Sequence, residues 1–305
     1  MGSRYLSRLD LDCRGLIVAH DAGGAELIAN FLKNQSYLQH NYLLGGPAIS
    51  IFNRVLGDIK ICKSSVQRAM LDVEWILTGT SWQSELEKNA LLNAKQENKF
   101  SAAFLDHWVN YKERFIYRGI ELQPTELWVA DSHAFRLAKE LWPKRPIINQ
   151  GNPYLASIIK QSKFRNHSQC KEQVLIVTEP IAAHAKCQQG DEFFFGYTEH
   201  DTLKLIFARI PVISWPNEPE IILIRPHPSE QCSKYAYLKD RYPHYNLEIC
   251  NDSHLLDDIA NSRIIIGSNT MALVVAISLG KRAVSVIPKG AQPCVLPQTE
   301  IEHWH

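Results

Sequence analysis

The chain has 305 residues, 45% of them hydrophobic, enough for two ordinary domains with sizeable cores. Lys and Arg number 33 against 32 Asp and Glu, a near-neutral balance that excludes a protein held to nucleic acid by bulk charge. Apolar runs stop short of the ~20 residues of a membrane span, and the arginine-bearing start has no apolar stretch that would mark a secretory signal. Cys13, Cys62, Cys170, Cys187, Cys232, Cys250 and Cys294 never fall in a C-x-x-C spacing. Free thiols in a reducing cytoplasm fit that pattern, and a cysteine-built zinc site does not.

Short apolar strands alternate with amphipathic helices along the chain, the pattern of parallel α/β sheets. Residues 14–20 predict a buried strand, and Asp21-Ala22-Gly23-Gly24 turns into a helix over 25–34. Strands are expected at 41–44, 59–62, 73–80, 100–108, 126–132 and 145–150, with helices at 47–56, 81–98 and 133–143. Gly151-Asn152-Pro153-Tyr154 reads as a turn. A second alternation opens with a strand at 172–180, then a loop rich in Gln and Phe and a helix over 199–210. A strand at 220–228 follows, then a helix at 229–243, a strand at 246–250 and a helix at 253–262. A strand at 263–267, an apolar helix at 268–280 and a strand at 283–288 complete the series. The tail after Pro288 has no strong period, and His303 and His305 read as a frayed end. No repeat of solenoid length is present. The expected fold is α/β, two Rossmann-like doubly wound domains over residues 1–155 and 156–305, facing each other across a cleft.

In such sheets ligands bind beyond the carboxyl ends of the strands, so the residues just after each strand matter most. Arg225-Pro226-His227-Pro228 follows a strand of Ile and Leu. Two prolines fix the backbone around one histidine, which could donate to a phosphate or move a proton, with Arg225 adding a charge-assisted contact. The plainer alternative is an exposed turn histidine capping the next helix. Gly267-Ser268-Asn269-Thr270 stands between a strand and an almost wholly apolar helix. Three donor side chains and free amides at a helix start suit an anion, although Ser, Asn and Thr are also the ordinary helix caps.

These two features, with the run Asp257-Asp258-Ile259-Ala260-Asn261 before the strand and Leu279-Gly280-Lys281-Arg282 after the helix, resemble the donor-binding half of GT-B-fold nucleotide-sugar enzymes. The pattern is most similar to bacterial sialyl- and Kdo-type glycosyltransferases with a His-Pro motif. The resemblance covers residues 172–288, and over 14–155 it is architectural, with Gly151-Asn152-Pro153-Tyr154-Leu155 at the usual domain junction. It implies that His227, Ser268 and Thr270 contact the phosphate and ribose of a CMP-sugar, and that Glu179 lies where a base or ribose would sit. UDP-GlcNAc 2-epimerases and polyol-phosphate transferases show related patterns. The resemblance carries no clear Glu-pair signature of retaining transferases, which speaks against a retaining mechanism of that kind.

In the first half, His20-Asp21-Ala22-Gly23-Gly24 follows the first strand. Gly23 and Gly24 would let the backbone approach a ligand, and Asp21 stands at the strand end, either as an acid or as a helix cap. Asp106-His107-Trp108 ends another strand; an Asp–His pair can form a general base, but neighbours on a strand point to opposite faces. Trp108, Tyr111 and Tyr117 could stack on sugars. Thr78-Gly79-Thr80-Ser81 and Asp131-Ser132-His133 read as helix caps.

The expected function is therefore a cytoplasmic, metal-independent glycosyltransferase with no cofactor beyond its nucleotide-sugar donor, a CMP-linked nonulosonic acid or Kdo. The acceptor is a glycan or lipid-linked sugar of surface polysaccharide synthesis, bound by residues 1–155, with peripheral membrane association left open. Asp21 or Asp106 would deprotonate the acceptor, while His227 and the helix start at Ser268 to Thr270 would stabilise the departing phosphate. A nucleotide-sugar hydrolase or 2-epimerase and a non-catalytic nucleotide- or glycan-binding protein are the alternatives.

Overall fold

The structure is a computed structural model and describes residues 9–33, 35, 37–81, 84–164, 172–213, 219–250 and 252–305. Cys170 lies outside these residues; the other six cysteines are free thiols. The chain divides into two compact units, Met1–Ser157 and Ile158–His305.

The first unit runs β1 (Gly15–Ala19), α1 (Ala22–Leu32), β2 (Asn41–Leu44), α2 (Ala48–Leu56), α3 (Val66–Ala69), β3 (Trp75–Thr78), α4 (Leu86–Gln96) and β4 (Phe100–Leu105). A hairpin of β5 (Ile116–Tyr117) and β6 (Ile120–Glu121) precedes β7 (Glu126–Val129), α5 (Ser132–Leu141) and β8 (Ile147–Asn149), and the boundary between the units falls within α6 (Pro153–Phe164). Its six-stranded sheet has the order β2-β1-β3-β4-β7-β8, every neighbour parallel. All five residues of β1 are buried, because helices cover both faces of a parallel sheet. Alternate residues serve opposite faces: Ile17 and Ala19 pack with α1 and α2, while Leu16 and Val18 pack with Val66 of α3 and Ala90 and Ala94 of α4.

The second unit runs β9 (Gln173–Val177), α7 (Ile181–Gln189), α8 (Glu199–Arg209), β10 (Ile221–Arg225), α9 (Tyr237–Arg241) and β11 (Leu247–Ile249). It continues with α10 (Leu255–Asn261), β12 (Ser262–Gly267), α11 (Met271–Ser278), β13 (Arg282–Val286) and β14 (Glu302–Trp304). Its parallel sheet has the order β11-β10-β9-β12-β13-β14. One face buries Val174, Ile176, Ile222, Ile224, Ile264, Ile266, Val284 and Val286 against Leu203, Ile206 and Phe207 of α8. In each unit the strand order reverses once, between β1 and β3 and between β9 and β12, and these switch points are where doubly wound sheets hold ligands.

Several local expectations change. The segment 59–62 forms one bridge, Ile61 to Tyr42, rather than a strand. Gly151 and Asn152 form the turn, but Pro153 and Tyr154 already belong to α6, with Pro153 at its first position, where its missing N–H is not needed. The expected loop after 180 contains α7, bounded by Pro180 and by Gly190 in the left-handed region. The helix expected at 229–243 contracts to a 3₁₀ turn at Cys232–Tyr235 and the short α9. His303 belongs to β14, paired with Ser285 of β13, and is not a frayed end. Among the described residues no helix is long and apolar enough to cross a membrane.

Candidate functional site

At the switch point of the second unit, Thr178 and Glu179 follow β9 and Ser268, Asn269 and Thr270 follow β12. The Asn269 amide donates to Glu179 Oε2 at 2.7 Å, which ties the two turns together. Burial and the nearby Glu230 carboxylate push the Glu179 carboxyl up to about 7, against the opposing effect of the Asn269 hydrogen bond. Tyr197, buried beside Glu179, is pushed up to about 12, mainly by burial.

The three side chains expected to hold phosphate are engaged inside the protein. The Ser268 hydroxyl is buried, donates to the Val286 carbonyl at 3.3 Å and meets the Thr202 hydroxyl at 3.3 Å. Asn269 Oδ1 accepts from the Val295 amide at 2.8 Å. Thr270 is the N-cap of α11, its hydroxyl accepting from the Ala272 amide. Arg225 is likewise committed: its guanidinium bonds Asp258 at 2.6 Å and Ser253 at 3.0 Å. Buried hydroxyls and guanidinium groups need partners, and here the fold supplies them from within the unit.

His227 is different. Its Nδ1 accepts from the Ser229 amide at 3.2 Å and lies 2.7 Å from the Ser229 hydroxyl. With Nδ1 used as an acceptor, the neutral ring carries its proton on Nε2 and offers it as a donor. Burial and the neighbouring His184, with ring centroids 6.4 Å apart, hold the ring below the usual imidazole range, so it is neutral near pH 7. Beneath it, Glu230 accepts from the Thr178 hydroxyl (2.9 Å), the Tyr235 hydroxyl (2.8 Å), Lys234 (2.7 Å) and the His227 amide (3.3 Å). Lys234 also bridges to Glu199, and burial is outweighed there by bonds from Ala182 and Lys234 that hold the Glu199 carboxyl low. This buried network anchors the His-Pro turn to β9 and α8.

In the first unit Asp106 follows β4 and pairs with Arg114 at 2.9 Å, both side chains largely buried, while Thr80 donates to the same oxygen at 3.2 Å. Asp106, expected as a candidate base, is thereby engaged inside the unit through this oxygen. His107 uses Nδ1 to accept from the Trp108 amide at 3.0 Å, and burial holds its ring below the usual range despite Asp106. Asp131 caps α5 through the Ala134 amide, as read from sequence, and also accepts from Trp108 Nε1. The closeness that Gly23 and Gly24 permit is to protein. A Cβ on Gly23 would fall 2.0 Å from Asp106 Oδ2, and one on Gly24 would fall 3.1 Å from the Gly79 Cα. Asp21 is bonded through Oδ1 to His20 Nδ1 at 2.8 Å.

Sequence reasoning missed His184, Glu230, Lys234 and Glu87. Glu87 had a signal: it shares the apolar stripe of α4 with Ala90, Leu91 and Ala94, where a carboxylate is out of place. Among the described residues no group of His, Cys, Asp or Glu is placed to hold a metal ion.

No protein-family model and no curated protein matches the chain. Solved structures do. The UDP-GlcNAc 2-epimerase from Methanocaldococcus jannaschii matches with a TM-score of 0.60 at 11% identity, covering 89% of this chain and 83% of that one. The S. aureus MnaA structure with UDP matches with a TM-score of 0.59 at 10% identity, covering 90% and 79%. The wall teichoic acid polymerase TagF matches with a TM-score of 0.50 at 10% identity, covering 89% and 69%. At these identities the likeness is one of fold: two parallel-sheet α/β domains of GT-B type.

Proposed function

We propose that the chain is a GT-B nucleotide-sugar enzyme, a glycosyltransferase whose second unit holds the donor and whose first unit holds a glycan or lipid-linked acceptor. The observation that carries this reading is His227. A neutral imidazole with Nδ1 occupied is locked between two prolines beyond β10, so its Nε2–H is available to a leaving phosphate oxygen. As the bond from the anomeric carbon to phosphate breaks, the electron pair goes to that oxygen, and a fixed donor stabilises the charge as it develops. Glu179, at the β9 and β12 switch point, stands where the nucleoside would be read. The expected donor is a CMP-linked nonulosonic acid or Kdo. A second reading, a UDP-sugar 2-epimerase, is favoured by the fold likeness to UDP-GlcNAc 2-epimerases; it uses the same leaving-group donor without an acceptor.

The test is thermal unfolding with CMP, UDP, GDP, CDP and dTDP. A ligand at a hundredfold excess over its dissociation constant stabilises by about 2.7 kcal/mol. A CMP-selective rise in melting temperature, lost in His227→Ala, supports the CMP-sugar transferase, and a UDP-selective rise moves the assignment to UDP-sugar chemistry. No rise with any nucleotide overturns the donor site.

A further inference from the structure

We propose that His20 is the proton acceptor of the first unit, taking a proton from a bound hydroxyl through Nε2, with Asp21 as its orienting carboxylate and Glu87 as a positioning residue. The catalytic part of this proposal rests on the transferase reading above; the geometry does not.

His20 is the residue after β1, at the switch point between β1 and β3, and four contacts fix it. Its amide donates to Glu87 Oε1 at 2.7 Å, and its carbonyl accepts from the Ala48 amide at the start of α2 at 3.1 Å. Its ring bonds Asp21 through Nδ1 at 2.8 Å. The opposite edge of the ring lies on the Gly45-Gly46 turn. A Cβ on Gly45 would fall 2.8 Å from His20 Cδ2, and one on Gly46, whose φ is +48°, would fall 2.7 Å from Nε2. The site therefore has glycines where any other residue would displace the ring.

This arrangement decides what the imidazole can do. A carboxylate at Nδ1 holds the neutral ring's proton there, leaves the Nε2 lone pair as an acceptor, and stabilises the imidazolium that forms on proton uptake. Nε2 has no hydrogen bond among the described residues and is not sealed from solvent, whereas His40 Nε2 is buried without a partner. His40 shows the structural alternative: its Nδ1 accepts from the Gly15 amide, and burial lowers its ring to about 4. The polarity of His20 is also the reverse of His227, whose Nδ1 is the acceptor and Nε2 the donor. One ring is set to receive a proton and the other to give a hydrogen bond.

Glu87 reaches the turn from α4. It is 2% exposed, and its Oε2 is buried without a partner, so it touches no ligand and acts through the backbone of His20. Burial pushes it up to about 8. In the transfer step the acceptor hydroxyl loses its proton to Nε2 while its oxygen electron pair forms the bond to the anomeric carbon. The bond from that carbon to phosphate breaks toward the nucleotide, and the imidazolium returns its proton to solvent.

Two measurements test this. The first is ¹⁵N NMR of histidine-labelled protein at a pH where the ring is neutral. The expected tautomer of His20 has its proton on Nδ1, and Asp21→Asn should weaken that preference; a proton on Nε2 in the unaltered protein overturns the proposal whatever the protein binds. The second is donor consumption by His20→Asn, which retains a donor toward Asp21 and cannot accept a proton. Turnover should fall at least a hundredfold, the usual worth of a positioned base, while the nucleotide-induced melting shift stays intact. Turnover within a factor of ten of the unaltered protein overturns the role of His20 and leaves the donor site standing. Loss of the melting shift in the unaltered protein overturns the donor site and leaves the NMR result to decide the tautomer. Glu87→Gln, which retains the acceptor for the His20 amide, should restore the activity that Glu87→Ala loses.

Discussion

Glu87→Gln should change how stability depends on pH. In the folded protein the Glu87 carboxyl is held at about 8, chiefly by burial, against an ordinary value of 4.5. Between those values the folded state keeps the proton and the unfolded state loses it, so the unfolded state binds fewer protons and stability falls as pH rises. The slope from this one group is ~1.4 kcal/mol per pH unit, full stability contribution being present below pH ~4.5 and lost through pH ~8. Glutamine cannot ionise, so the variant lacks this slope while retaining an oxygen for the His20 amide. From pH 5 to pH 8 the variant should gain up to ~4 kcal/mol relative to the unaltered protein. Any fixed penalty for the buried amide shifts both ends equally. Urea unfolding followed by tryptophan fluorescence measures this, since five of the seven tryptophans (Trp75, Trp82, Trp108, Trp128 and Trp142) belong to the first unit. A stability difference that stays constant within ~0.5 kcal/mol across this range would refute the reasoning, because Glu87 would then titrate as it does in the unfolded chain.

Two further changes probe the same unit. Arg114→Met leaves the buried Asp106 carboxylate without its ion pair and should destabilise by ~3–5 kcal/mol, with much of the loss recovered in the double variant with Asp106→Asn, measured in the same unfolding experiment. Gly46→Ala should cost ~1–3 kcal/mol through its positive φ and its contact with the His20 ring. The cost should shrink in a His20→Ala background, and a strictly additive double-mutant cycle would show that ring and turn do not touch.

Much of the architecture was legible because parallel strands buried on both faces read as continuous apolar runs. Gly15-Leu16-Ile17-Val18-Ala19 and Arg263-Ile264-Ile265-Ile266-Gly267 announce themselves. What was harder to read had weaker local signals. Helix α7, Ile-Ala-Ala-His-Ala-Lys-Cys-Gln-Gln, is mostly exposed and has little apolar period, so only Pro180 and Gly190 mark its ends. Strand β14 is three residues long and exists because β13 offers an edge to pair with.

The strand ends that matter were likewise visible, since His20, Glu179, His227 and Ser268 all follow apolar runs that anyone can place. Their chemistry was not, because it depends on partners distant in sequence. Arg225 is neutralised by Asp258 across 33 positions, Glu179 meets Asn269 across 90, and the His20 amide meets Glu87 across 67. Sequence determined the alternation, the two sheets and the list of polar groups at their carboxyl ends, since these depend on local periodicity and burial. Tertiary structure alone decided which of those groups are bonded to one another and which nitrogen of each histidine is left to act, because a hydrogen bond is settled by distance in space and a side chain already satisfied inside the fold has little left to offer a ligand.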